Sequence, residues 1–143
     1  MKRLIQKFTE RIYLSYARAR CPNEMLDFSD CLAQTLTALI LVPALPQESR
    51  AVSRLIEELQ QLFPETHFSV LLEKSYAARF SAGENLQLIT FAEEEDLAFH
   101  GLPKKKLQDA VRDRHFDLVI DLHEDFDLVA ACLCQVSDAK LRV

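Results

Sequence analysis

The stretch FDLVIDLHEDFD, residues 116–127, decides the fold. Its first seven residues form an apolar run interrupted only by Asp117 and Asp121. A short run rich in Val, Ile and Leu predicts a strand buried on both faces, not one alternating between core and water. Four acids, Asp121, Glu124, Asp125 and Asp127, then fall within seven residues. They mark the end where the strand meets solvent, and they form a candidate site.

Runs of the same kind recur outward from this one. ALILVP (38–43) reads as a buried strand ended by Pro43 and Pro46, HFSVLLE (67–73) as a second and LQLITF (86–91) as a third. AKLRV (139–143) begins a fifth after the run at 116–122. Between them lie helical patterns. Residues 49–62 place Val52, Leu55, Ile56, Leu59 and Leu62 on one face, and Pro64 closes the segment. Shorter helices are expected at 75–80, 104–114 and 126–136, with Gly83 turning the chain after the first. Residues 24–37 carry a helical turn capped at Ser29 or Asp30. The EEED segment (93–96) reads as a solvated loop, and the cations of PKKK (103–106) as its neutralising partners.

Strands alternating with helices predict βαβ units and a parallel sheet with right-handed crossovers. The expected architecture is an α/β, Rossmann-like three-layer domain over residues 24–143. Its five-stranded parallel sheet takes the order 3-2-1-4-5, and an N-terminal amphipathic helix (1–23) precedes it. In such a sheet, ligands bind beyond the carboxyl ends of the strands where the order reverses, here between strands 1 and 4. The loop after strand 1 carries Glu48, and the loop after strand 4 carries His123, Glu124, Asp125 and Asp127. These five are expected to line one crevice. Structural roles stand beside that reading. Asp125 suits the N-cap of the following helix. Asp117 reads as solvated. Asp121, inside an apolar strand, needs a donor. His123 reads either as a surface residue or as a general base with a raised pKa.

Several function classes are excluded. Gly83 and Gly101 are the only glycines, too few for GxGxxG or a phosphate-cradling P-loop. Residues 1–20 carry six cations and one acid, a charge of +5, so the rest of the chain holds −10 of the net −5. A body that acidic repels nucleic acid. Among Cys21, Cys31, Cys132 and Cys134 no zinc spacing occurs, and reduced thiols of a cytosolic protein are expected. No HExxH or Ser–His–Asp pattern is legible, and His67, His100 and His115 show no ligand spacing, so neither metal nor cofactor is expected. No apolar run is long enough to span a membrane, and the N-terminus lacks a secretory signal. The first helix gathers Leu4, Ile5, Phe8, Ile12 and Tyr16 on one face. It reads as a segment docked on the domain or on a partner subunit. It also reads as an anchor holding anionic lipid through Lys2, Arg3, Lys7 and Arg11.

FDLVIDLHEDFDLVAACLCQVSDAKLRV (116–143) resembles glycosyltransferase family 9, the bacterial lipopolysaccharide heptosyltransferases. Asp117, Asp121, the turn at 137–139 and Arg142 carry the likeness. LILVPALPQESRAVSRLIEELQQLFPETHFSVLLE (39–73) is similar to that family's first βαβ unit, including the Pro64 turn. The resemblance implies the acceptor-side domain of a two-domain GT-B enzyme. Glu48, 16 residues before Pro64, falls where the family carries its proposed catalytic Asp, although the glycine before that Asp is missing. The donor-binding domain has no counterpart in this sequence, and the chain stops in mid-strand, as a shortened enzyme or a family relic would. The implied function is a glycosyltransferase-like binding or interaction module, not catalytic alone. One alternative is the acceptor-binding half of a sugar transferase, with Glu48 as base and His123 or Asp127 on sugar hydroxyls. The other is a structural dimerisation domain. Implied partners are a sugar or lipid-linked sugar acceptor, a second copy of the chain, and the inner membrane surface of the cytoplasm.

Overall fold

The computed structural model describes residues 2–20, 27–44 and 49–143, with the side chains of residues 2, 4, 17–20 and 28 outside the description. In chain order the elements are α1 (Lys2–Arg20), α2 (Phe28–Ala33), β1 (Thr37–Leu41), α3 (Ser49–Leu62) and β2 (His67–Glu73). A 3₁₀ segment (Lys74–Arg79), β3 (Leu86–Phe91), α4 (Glu93–Asp96), α5 (Lys105–Arg112), β4 (Leu118–Asp121), α6 (Leu128–Val136) and β5 (Leu141–Arg142) follow.

All five strands pair in parallel, in the order β3-β2-β1-β4-β5. The expected Rossmann-like α/β arrangement is therefore the observed one. Its centre is β1, where Ile40 sits opposite Val70 of β2 on one side and Ile120 of β4 on the other. Residues of β1 alternate between two cores. Leu39 and Leu41 pack with Leu107 and Val111 of α5 and Ala130 and Leu133 of α6. Ala38, Ile40 and Val42 pack with Val52 and Ile56 of α3. Leu39, Ile40 and Leu41 are wholly buried, each stabilising the fold by about 1.5–3 kcal/mol. This is why the apolar run is unbroken: both faces of the strand are covered.

Details depart from the sequence pattern at the element ends. β1 stops at Leu41, because Pro43 has no N–H to donate, although Val42 still bonds the Leu71 carbonyl at 3.1 Å. β4 is shorter than its apolar run, yet Asp117 N–H reaches Thr37 O and Leu122 N–H reaches Leu41 O. The helix expected at 75–80 is the 3₁₀ segment. EEED is not a loop but the single turn α4, where Asp96 Oδ2 accepts the Ala92 N–H at 2.9 Å. α2 is capped by Asp27, whose carboxylate accepts from Ser29 and Asp30 N–H, rather than by Ser29 or Asp30.

Asp117 is not simply solvated. Its Oδ2 accepts hydrogen bonds from Leu36 N (3.0 Å), Thr37 N (3.1 Å) and Thr37 Oγ1 (3.1 Å). The carboxylate at the entrance of β4 thus ties down the entrance of β1. The N-terminal helix also differs from its pattern. Tyr13 anchors it to α6, its hydroxyl donating toward Gln135 Oε1 (2.6 Å) and Ala131 O (3.0 Å). Ile5 is half-buried, but Phe8, Ile12 and Tyr16 remain exposed. The face centred on Tyr13 packs inward, so most of the apolar row points out.

Candidate functional site

At the carboxyl end of the sheet the chain leaves β1 on one side and β4 on the other, and a crevice of about 330 Å³ opens there. Leu41, Val42, Pro43 and Ala44 form one side, and residues 123–127 form the other. Leu71 and Glu73 from the end of β2, Phe91 from β3, Glu93 from α4, Leu97 just after it, and Val129 and Ala130 of α6 complete it. Strand order puts the opening here: neighbours β1 and β4 send their following helices to opposite faces, so their outgoing loops part.

The crevice brings His123, Glu124, Asp125 and Asp127 together on one wall. Glu48 lies outside the described residues, so the crevice is described without it. Of the cations expected to meet a membrane or partner, Arg3, Lys7 and Arg11 are exposed on α1 and do not line the crevice. The Lys2 side chain lies outside the description.

The acids on this wall have different occupations. Asp127, not Asp125, is the N-cap of α6, and its Oδ1 accepts the Ala130 N–H at 2.7 Å. The helix begins two residues later than its apolar pattern because Leu128 turns into the core while Phe126 stays 45% exposed. Asp121 finds its donor in His123. Oδ1 accepts the His123 backbone N–H (3.1 Å) and lies 2.6 Å from Nδ1. Burial alone would lower the pKa of His123. The hydrogen bond to Asp121 and the negative charges of Asp127 and Asp121 outweigh burial and raise it above the ordinary value. With Nδ1 held by the carboxylate, Nε2 is the remaining nitrogen for a ligand. Glu124 and Asp125 are exposed and make no hydrogen bond to any described residue.

An apolar floor with Leu41, Leu71 and Phe91 beside an acidic, imidazole-bearing wall suits neutral ligands rich in hydroxyls. Carboxylates accept hydrogen bonds from hydroxyl groups, and apolar side chains cover C–H faces. Phosphate would meet like charge on this wall. Among the described residues no three of His, Cys, Asp and Glu converge closely enough to hold a metal ion. The α6 thiols take no part: burial raises Cys132 and pushes Cys134 up to about 12, which keeps both protonated.

Sequence reasoning did not reach Glu73, Phe91 and Glu93, which enter from β2, β3 and α4. Their signal was positional, since each stands at or just beyond the carboxyl end of a parallel strand. The Asp121–His123 pairing also had a signal: residues two apart at a strand end point to the same side. No protein-family model matches the chain, and no curated protein and no solved structure is significantly similar to it.

Proposed function

We propose that the chain is a glycosyltransferase-like binding module whose crevice holds a neutral, hydroxyl-rich ligand, a sugar or the sugar end of a lipid-linked acceptor. The observation that carries this reading is the position and chemistry of one wall. His123, Glu124 and Asp125 stand beside Phe126 at the carboxyl end of β4, where the strand order reverses. The resemblance of residues 39–73 and 116–143 to heptosyltransferases supports the same reading.

The test is a titration of the ¹⁵N-labelled chain with free sugars, with sugar nucleotides and with divalent cations. Neutral sugars are expected to move the resonances of residues 123–126, and added phosphate groups to give no gain. Glu124→Gln combined with Asp125→Asn should weaken that binding about tenfold, as expected from one or two lost hydrogen bonds. Its melting temperature should stay that of the parent. If no sugar moves these resonances, or if only sugar nucleotides do, the reading fails.

A second reading, the acceptor-side half of a sugar transferase, is favoured by the Asp121–His123 pair. A histidine whose Nδ1 is held by a carboxylate is a usual way to build a general base. In this reading His123 Nε2 takes the proton of an acceptor hydroxyl, or Glu48 does so as the resemblance implies. Transfer from a nucleotide sugar to an acceptor, lost in His123→Gln or in Glu48→Gln, is the expected outcome. Transfer that survives both substitutions refutes it.

A further inference from the structure

The outward face of α1 carries a row of exposed bulky side chains. Phe8 is 68% exposed and Ile12 56%, and Tyr16 continues their row at spacings of four. Spacings of four gather side chains on one side of a helix, and here the row runs for about 12 Å. Arg3, Lys7 and Arg11 form a second exposed row beside it. Lys7 precedes Phe8 and Arg11 precedes Ile12 by one position, so the cationic row lies about 100° round the helix from the apolar one, and both rows are exposed. No carboxylate among the described residues pairs with these three cations.

The helix is held so that this arc faces away from the body. Tyr13, on the opposite side, is bonded to α6. Gln6 packs over Gly101, where an added Cβ would lie 3.3 Å from Gln6 Cγ. No helix of the described residues is long and apolar enough to cross a membrane, so contact with one through α1 is peripheral.

We infer that the outward face of α1 rests on an anionic lipid surface. Phe8 and Ile12 enter the boundary between headgroups and acyl chains, and Arg3, Lys7 and Arg11 lie among the headgroup phosphates. Charge complementarity selects this occupant. A basic row on one side of a bulky apolar row matches the layered chemistry of an anionic bilayer surface. The remainder of the chain, at −10, is repelled by the same surface, so only this face is turned toward it. A second copy is a poorer occupant. A two-fold contact between two such faces places two cationic rows in one interface with no counter-charge. This inference does not depend on what the crevice binds.

The experiment is co-sedimentation of the full chain with vesicles of phosphatidylcholine alone and of equal parts phosphatidylcholine and phosphatidylglycerol. The chain should pellet with the mixed vesicles, and added salt should weaken the binding. Lys7→Glu with Arg11→Glu, and separately Phe8→Ser with Ile12→Ser, should each weaken it about tenfold or more. Both pairs are exposed, so circular dichroism spectra should match the parent's. Binding only in the absence of phosphatidylglycerol, binding unchanged in either double variant, or no binding at all overturns the inference. So does a concentration-dependent mass in light scattering without vesicles that Phe8→Ser with Ile12→Ser abolishes, since the face then closes on a second copy.

Discussion

Replacing Asp117 by alanine should destabilise the whole sheet, although the residue reads from sequence as solvated. Three donors converge on Oδ2: the N–H groups of Leu36 and Thr37 and the Thr37 hydroxyl, at 3.0–3.1 Å. The Thr37 hydroxyl also meets the Asp117 N–H and the His115 carbonyl at 3.2 Å, so the entrances of β1 and β4 are laced from both sides. A hydrogen bond to a charged group contributes about 1.5–3 kcal/mol. Here three donors share one oxygen, and Leu36 is exposed to water, which offers a substitute. The total is then about 2–3 kcal/mol rather than the sum of three such bonds. For a chain of this size that lowers the melting temperature by about 5–10 °C. Urea unfolding followed by far-ultraviolet circular dichroism measures it, with the slope against urea expected to stay unchanged. Asp117→Asn keeps one acceptor oxygen and should fall between the parent and Asp117→Ala. Asp125→Ala, which removes an exposed carboxylate without described partners, should stay within about 0.5 kcal/mol of the parent. If Asp117→Ala also stays within that margin, the carboxylate is solvated and the lacing contributes nothing.

His123 should titrate above its ordinary value, because its pairing with Asp121 and the charge of Asp127 outweigh burial. A folded pKa above the unfolded one means that the pairing stabilises the fold fully below the unfolded value, near pH 6.5, and that this contribution is lost as pH rises through the folded value. Imidazole NMR titration reads the midpoint. Asp121→Asn should lower it, and the stabilities of parent and variant should converge at high pH. Tyr13→Phe removes the donor to Gln135 and Ala131, costing about 1 kcal/mol. Trypsin should then cut at Lys7 or Arg11 faster than in the parent, and equal rates would mean that α1 is held otherwise. Gly101 has φ +90°, which an L side chain rarely adopts, and an added Cβ would press on Gln6 Cγ at 3.3 Å. Gly101→Ala should therefore cost about 1 kcal/mol or more, seen as a lower melting temperature.

The layers and strand order were legible because both faces of the sheet are covered. Burial on both faces makes HFSVLLE continuous, while the edge strand LQLITF exposes Gln87 and Thr90, and β2 and β3 take the spans those runs predict. The amphipathic pattern of α3 likewise matched its span, since one face must meet Val70 and Ile40. The capping residue of α6 was not legible in the same way. Asp125 and Asp127 are equally good N-caps by type. The choice falls to whichever start sends Leu128, Ala130 and Leu133 into the core, which is a property of the packed helix. Asp117 gave no local signal because its donors come from residues 36 and 37, eighty positions earlier. For α1, periodicity showed that an apolar row exists but not which way it faces. Among the described residues its orientation rests on the Tyr13 hydroxyl and on Gln6 over Gly101, neither of which apolar spacing registers.

The acids that end FDLVIDLHEDFD therefore divide by what they hold. Asp117 secures the entrance of β1, Asp121 holds His123, and Asp127 starts α6. Each is committed to the fold, so its substitution changes stability as well as any ligand. Glu124 and Asp125 carry no such commitment among the described residues and stand exposed on the crevice wall. An ionised carboxylate free of internal partners costs nothing to keep in water, and it keeps its hydrogen-bonding capacity for a ligand. Asp127→Ala confounds folding with binding, because it removes the cap of α6, and Val129 and Ala130 of the first turn also line the crevice. The pair Glu124 and Asp125 separates the two. Lost binding with unchanged melting in Glu124→Gln and Asp125→Asn can only come from the wall of the crevice itself.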